Sequence, residues 1–337
     1  MKRLVITCTA AVLLASGGSD GRAAPVTLKV ATVMPRGGPW ANAISRFAAQ
    51  VKKKTHGKVV LKVYFGAVAG TEQRALSRMK SGQIQGIVAA SAALSSIDGS
   101  IRVLELPMLY RSYKEFRFVV KSMEPVFKKR YNTRGYRLLA MASVGWVYLF
   151  SKNPLRSLSD IKRCKIWRWK HDPMATAMFK IMGMRGHKLP VTDVLASLQA
   201  GTIDTVYGMP HSTQALQWHT SVKYALGFRI TMAIGAMLLR NDAFAKLTAG
   251  QQKIVTSAAL AMQSYLNKTS ESINAKAMRA MRRSGMKLLK PSPALLKKLR
   301  SLKPKLLRML KNIMYRPADL KKVKALLTLC RATSCSI

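Results

Sequence analysis

The side chains that could do chemistry are few and scattered in this chain. Among 337 residues there are only 13 Asp and Glu and five His. His211 and His219 are the nearest pair in sequence, but they have neither the spacing of adjacent helical turns nor a cysteine companion, so the pattern favours ordinary histidines over metal ligands. Cys164 lies among basic residues that would lower the pKa of a thiol, yet no base neighbours it.

Sequence motifs for catalysis are also missing. The sequence contains no glycine-rich phosphate loop, no nucleotide-binding fingerprint and no nucleophile elbow. We therefore expect a binding protein rather than an enzyme, with no cofactor and no metal. Its aromatic residues could line a binding site, although ordinary core packing is an equally good interpretation for each of them. They are Trp146, Tyr148, Trp167, Trp169, Tyr207 and Trp218.

Two stretches of the chain share one pattern of helix end, glycine and short strand. They are residues 76–87 and 195–206. Gly82 and Gly201 suit the left-handed position that ends a helix, and apolar residues then enter a buried strand. The same joint in both halves predicts two similar α/β lobes, an architecture that commonly holds a ligand in the crevice between the lobes.

The order of predicted elements indicates how the two lobes are built. Strands at 26–30, at 59–65 and from 84, with helices between them, predict a parallel sheet. A long helical pattern follows Thr248. We divide the chain into a signal sequence over 1–24, the first part of lobe I over 25–150, lobe II over 151–230, and a return to lobe I over 231–337 with the long and C-terminal helices.

The N-terminus predicts export. A short basic start, an apolar run over residues 4–15 and small residues up to Ala24 are typical of a secretory signal, either cleaved after Ala23 or Ala24 or retained as an anchor. We therefore expect the protein in the periplasm. In an oxidising compartment Cys330 and Cys335 are close enough in sequence to form a disulfide, although proximity does not guarantee the geometry.

The net charge of +45 is extreme. Such a charge attracts polyanions, including nucleic acid, an anionic membrane or an acidic partner. Because basic residues occur along the whole chain without a nucleic-acid motif, we favour a solvated basic surface and expect no specific nucleic acid.

Several segments in order resemble one family of receptors. The chain is similar to the extracytoplasmic solute receptors of tripartite ATP-independent periplasmic (TRAP) transporters, of the DctP type, over roughly residues 26–289. The resemblance implies a two-lobed periplasmic solute-binding protein fold with a hinge and a long helix across both lobes. It also implies delivery of a small-molecule ligand to membrane permease subunits. The segments are 40–51, 58–65, 70–73, 82–87, 104–107, 158–169 and 201–204.

The departures from the family pattern concern the ligand. Two arginines that hold carboxylates in relatives are replaced by Val147 and Trp167, an aromatic residue by Val191, and an asparagine by Gly208. Glu72 matches an acidic residue near the family's pocket, though at a helix start it could simply favour the helix dipole. Arg168 could replace the lost arginine only through a bulge, because adjacent strand residues face opposite ways.

We therefore expect a TRAP-type receptor for an apolar or amphipathic ligand, which works with permease subunits and also, as in one subset of the family, with a tetratricopeptide-repeat partner. The alternative is a basic interaction protein on the same fold that binds an acidic partner or a membrane without transport. The expected ligand-binding residues are Trp40, Glu72, Trp146, Val147, Trp167, Trp169, Val191, Tyr207 and Gly208.

Overall fold

A computed structural model of the chain describes residues 24–169 and 172–335. The predicted signal sequence lies, except for Ala24, outside these residues. The strands are β1 Val26–Ala31, β2 Val59–Tyr64, β3 Gly86–Ala90, β4 Tyr136–Trp146, β5 Tyr148–Ser151, β6 Trp167–Trp169, β7 His187–Leu189, β8 Thr205–Gly208, β9 Tyr224–Leu226, β10 Met232–Arg240 and β11 Lys287–Leu289.

Helices make up most of the remaining structure. The helices are α1 Pro39–Lys54, α2 Glu72–Lys80, α3 Ser91–Leu94, α4 Tyr113–Asn132, α5 Leu158–Arg163, α6 Pro173–Met182, α7 Val194–Gln199, α8 Pro210–Ala215, α9 Asn241–Ala245, α10 Ala249–Arg283, α11 Pro293–Ser301, α12 Lys303–Leu310 and α13 Pro317–Ala332. Short 3₁₀ turns are formed by Gly99–Glu105, Val191–Asp193 and Trp218–Thr220.

Lobe I is built on a five-stranded sheet in the order β2-β1-β3-β10-β4. Strands β1, β2 and β3 are parallel, as the alternation of strands and helices predicts, and β10 is antiparallel to both β3 and β4. One apolar cluster, which includes Phe47 and Val51 of α1 and Val255 of α10, covers one face, and another, which includes Phe116 of α4, covers the opposite face. Both faces of the sheet are therefore buried.

Lobe II is built on a four-stranded sheet in the order β11-β9-β5-β8, with the parallel pair β6-β7 joined to β8 by a bridge between Ile166 and Thr205. Within the segment 231–337, which was predicted to return to lobe I, strand β10 lies in the five-stranded sheet of lobe I. In contrast, β11 pairs in parallel with β9 of lobe II, and Leu295 and Leu299 of α11 belong to a lobe II cluster. The boundaries of the lobes otherwise stay a prediction.

The long helix α10 has 35 residues and contacts α1 and β4 of lobe I as well as α8 of lobe II. Its start is fixed by a capping box in which Thr248 and Gln251 satisfy each other's backbone N–H groups. The structure thus confirms the predicted helix across both lobes. Of the helices in residues 24–169 and 172–335, none combines the length and the apolar character needed to cross a bilayer.

Local sequence signals place the helix ends. Gly82 and Gly201, the two matched joints, have φ angles of +80° and +72° and so occupy the left-handed region that favours glycine. Helices α2, α4 and α6 begin at the N-cap residues Thr71, Ser112 and Asp172, and the side chain of each cap accepts a hydrogen bond from a backbone N–H of the first turn.

Candidate functional site

A cavity of about 230 Å³ lies between the two lobes. Lobe I contributes the ends of β1 and β3, the start of α1 and part of β10, whereas lobe II contributes β6, β8, α6 and α8. Most of its wall consists of aromatic, methionine and aliphatic side chains. A few polar groups converge on this apolar space, as is typical of small-molecule sites.

Eight of the nine predicted site residues line this cavity. They are Trp40, Glu72, Val147, Trp167, Trp169, Val191, Tyr207 and Gly208. The structure therefore brings together residues spread over 169 positions of the chain. Their role in binding a ligand stays a prediction.

Trp146 is the exception, and its predicted place in the site is wrong. Its ring packs edge-on against Tyr113, with 6.0 Å between the ring centroids, and the guanidinium of Arg229 lies over it. The residue belongs to the apolar core of lobe I, outside the cavity wall. Val147, the next residue, faces the cavity instead.

Trp167 is the centre of the aromatic wall. Its ring stacks on Tyr207 at 4.9 Å and on Trp169 at 6.2 Å, and it meets Trp218 edge-on at 5.3 Å. The indole Nε1 donates to the carbonyl of Leu189 at 3.0 Å, which fixes the ring. A single tryptophan thus organises the apolar surface of this wall.

Arg168 does not face the cavity between the lobes. It is absent from the cavity wall, and its guanidinium donates to the hydroxyl of Thr176. Strand β6 therefore alternates without a bulge, with Trp167 and Trp169 towards the cavity and Arg168 away from it.

Arg102 is a buried cation in the cavity wall that sequence analysis missed. Its guanidinium donates to a carboxylate oxygen of Glu105, to Asp172 Oδ1 at 2.8 Å and to the hydroxyl of Ser91 at 3.2 Å. Burial disfavours its charge, but the two carboxylates outweigh this effect and raise the pKa of Arg102 above its ordinary value. The guanidinium is therefore charged and already occupied by carboxylates of the protein.

Glu72, in contrast to Arg102, is a buried charged residue of the cavity wall without an ion-pair partner among the described residues. Its side chain is buried at the start of α2, and its Oε1 accepts a hydrogen bond from the backbone N–H of Ala90 at 3.3 Å. Burial raises the pKa of Glu72 to about 7, against the smaller opposing effect of that hydrogen bond. Within residues 24–169 and 172–335 no cation forms an ion pair with Glu72.

Asn274 of α10 ties the two lobes together behind the cavity. Its amide donates to the carbonyl of Val144 in β4 at 2.7 Å and accepts from the backbone N–H of His211 in α8 at 3.1 Å. Gly145 has φ +148°, and a Cβ there would lie 2.5 Å from Asn274 Nδ2.

His211 also lines the cavity, and burial lowers the pKa of its imidazole, which favours the neutral form.

The cysteines divide into a pair and a single thiol. Cys330 and Cys335 form a disulfide at the end of α13. Cys164 is unpaired among the residues that the structure describes. Burial raises the pKa of its thiol, which corrects the expectation that the neighbouring basic residues would lower it.

The fold has two lobes with a cavity between them, and comparison with known proteins identifies its family. Residues 30–312 match the family model "DctP: Bacterial extracellular solute-binding protein, family 7", so the chain belongs to this family. Its members are receptors for solutes, not enzymes, as the sequence predicted.

Similar proteins show the same architecture at low sequence identity. The TRAP periplasmic solute-binding protein of Xanthobacter autotrophicus Py2, solved with bound β-D-galacturonate, has a TM-score of 0.82 and 20% identity, and the match covers 89% of this chain and 99% of that one. An extracytoplasmic solute receptor of Bordetella pertussis that binds pyroglutamic acid has a TM-score of 0.83 and 19% identity, over 90% and 99% of the two chains.

A curated relative agrees over a shorter region. The 2,3-diketo-L-gulonate-binding periplasmic protein YiaO of Escherichia coli (strain K12) is 25% identical over 164 residues, which are 48% of this chain and 50% of that protein. The chain thus spans about half the length of the curated relatives it matches.

Proposed function

We propose that this protein is the periplasmic receptor of a TRAP-type transporter and that its ligand has an apolar body without a carboxylate as its main anchor. The receptor closes its lobes on the ligand and delivers it to membrane permease subunits. Its family and its likeness to TRAP receptors support the first part. The partnership with a tetratricopeptide-repeat protein stays a prediction.

The proposal about the ligand rests on the pairing of the Arg102 guanidinium with carboxylates of the protein. Among the described residues, it is the only Lys or Arg on the cavity wall, and two carboxylates already bind it. A ligand carboxylate placed there would lie beside Glu105 and Asp172 and would lack a cation of its own. Leaving such a charge unpaired in a buried site costs several kcal/mol.

The apolar wall provides the compensating attraction. Trp167, Trp169 and Val147 present apolar surface to the cavity. A hydrocarbon or aromatic body that covers this surface gains about 25 cal/mol of binding free energy for each Å² removed from water. Glu72 provides a single acceptor, so a hydroxyl or protonated amine on the ligand would be well placed to donate to it. An amphipathic ligand with an apolar body and one donor fits both features.

Mass spectrometry of the purified protein tests this proposal. Bound molecules are extracted with organic solvent from the wild type and from a Val191→Lys variant, which puts a charge on the cavity wall. Val68→Lys is the matched control, because Val68 is 72% exposed and does not line the cavity. We expect an apolar or amphipathic molecule from the wild type and the control only. A sugar acid or small dicarboxylate recovered from the wild type would overturn the proposal.

A further inference from the structure

A second cavity, of about 300 Å³, lies among the C-terminal helices. We call it the C-terminal cavity. It is bordered by α12, α13 and residues 106–109, which connect the 3₁₀ turn Gly99–Glu105 to the region of α4, and it opens to solvent beside Lys324. Five leucines form its apolar wall: Leu106, Leu109, Leu307, Leu320 and Leu327.

Three cations stand on the same wall. Lys303 Nζ donates to the carbonyl of Met108 at 2.8 Å, and Arg331 Nε donates to Glu115 Oε1 at 2.9 Å. Lys324 is exposed on α13, and neither lysine forms an ion pair with an acidic residue in the part of the chain that the structure describes. Positive charge at this wall therefore exceeds the negative charge that Glu115 provides.

The three cations are close enough to affect one another. Burial, and then the charges of Lys324 and Arg331, lower the pKa of Lys303. Like charges that disfavour each other in this way attract an anion, which relieves the repulsion. The shift agrees with the geometry of the wall, where Lys324 and Arg331 are seven residues apart on one face of α13.

We propose that the C-terminal cavity binds a single-chain anionic amphiphile, a carboxylate on an unbranched alkyl chain. The alkyl chain packs against the leucines, and the carboxylate lies between Lys303 and Lys324. Burial of the chain and charge-assisted hydrogen bonds to the head group act together. A polyanion without an apolar part would contact only the cations of this wall.

This site is distinct from the cavity between the lobes in both walls and chemistry. The two cavities share no lining residue, and in residues 24–169 and 172–335 the C-terminal cavity has no tryptophan on its wall, whereas four tryptophans line the other. A brominated alkyl chain quenches tryptophan fluorescence only at close contact, so it reports which cavity is occupied. The two proposals can therefore fail independently.

Calorimetry with delipidated full-length protein is the test, with dodecanoate as the probe. The variants are Lys324→Glu and Lys303→Met, and Lys322→Glu is the matched control, because it makes the same charge change on α13 away from the cavity. A parallel titration with 12-bromododecanoate follows the native tryptophan fluorescence.

We expect one equivalent of dodecanoate to bind, and we expect 12-bromododecanoate to bind without quenching tryptophan fluorescence. The affinity for dodecanoate should weaken at least about tenfold in Lys324→Glu and Lys303→Met but not in the control. A dodecyltrimethylammonium ion should not compete for it. Binding that is equal in Lys324→Glu, Lys303→Met and wild type, binding that only quenches tryptophan, or equal binding of the quaternary ammonium would overturn the proposal.

Discussion

Arg102 and Asp172 form a buried ion pair that joins the two lobes: Nη2 lies 2.8 Å from Oδ1, and the side chains are only 3% and 4% exposed. Arg102 belongs to the 3₁₀ turn of lobe I, whereas Asp172 caps α6 behind β6 of lobe II. The same pair occupies the guanidinium that a ligand carboxylate would otherwise use. It therefore affects both the contact between the lobes and the choice of ligand.

Removing one charge of this pair should destabilise the protein strongly. Asp172→Asn keeps an oxygen that can cap α6 but leaves Arg102 with one carboxylate fewer, so we expect the free energy of unfolding to fall by about 3–5 kcal/mol. Urea unfolding measures it. Asp242→Asn is the control, since Asp242 is 60% exposed in its pair with Arg240 and should cost less than about 1 kcal/mol. Equal losses in the two variants would contradict the account.

Glu72 should make stability depend on pH. Its pKa rises from 4.5 to about 7 on folding, so the folded state binds more protons than the unfolded state between these values. Its contribution to stability is therefore fully present below pH 4.5 and is lost as the pH rises through 7. Glu72→Gln should match the wild type near pH 4 and exceed it by roughly 3 kcal/mol at pH 8.

Urea unfolding at the two pH values decides this prediction. Glu271→Gln, a change at an exposed glutamate of α10, serves as the control and should leave the pH dependence unchanged. A Glu72→Gln curve parallel to the wild type from pH 4 to pH 8 would show that Glu72 is not the titrating group.

A side chain at position 145 should destabilise the protein. Alanine there would adopt an unfavourable φ of +148° and meet the amide of Asn274, so we expect Gly145→Ala to cost about 1–3 kcal/mol. Gly250 of α10 has open space around it, and Gly250→Ala should stabilise by up to about 1 kcal/mol. Thermal unfolding of both variants gives the comparison, and a neutral Gly145→Ala would show that Asn274 can move aside.

Signals that act over a few residues were readable in the sequence. Gly82 and Gly201 mark helix ends by their conformational freedom, and Thr71 and Asp172 mark helix starts by their side-chain oxygens. Each of these constraints is local, so the sequence alone was sufficient. The resemblance to the receptor family then ordered the elements into two lobes.

Features that depend on long-range contacts were not readable. Arg102 and Asp172 are 70 positions apart, and in a chain with 58 Lys and Arg nothing singled out one arginine as buried. Trp146 was misplaced because the pairing of β4 with β10 is irregular between Ser143 and Gly145, and such an irregularity changes the face to which the following residues point. His211 was considered only as a metal ligand, because its place beside the cavity depends on how α8 packs.

The most direct test of the ligand assignment is calorimetry of the delipidated protein at neutral pH. Galacturonate, succinate and an uncharged aromatic or alkyl alcohol are titrated into the wild type and into Trp167→Ala. We predict no measurable heat from the two acids and saturable binding of the alcohol, which weakens at least about tenfold when Trp167 is removed. Micromolar binding of either acid that is unchanged in Trp167→Ala would contradict the account.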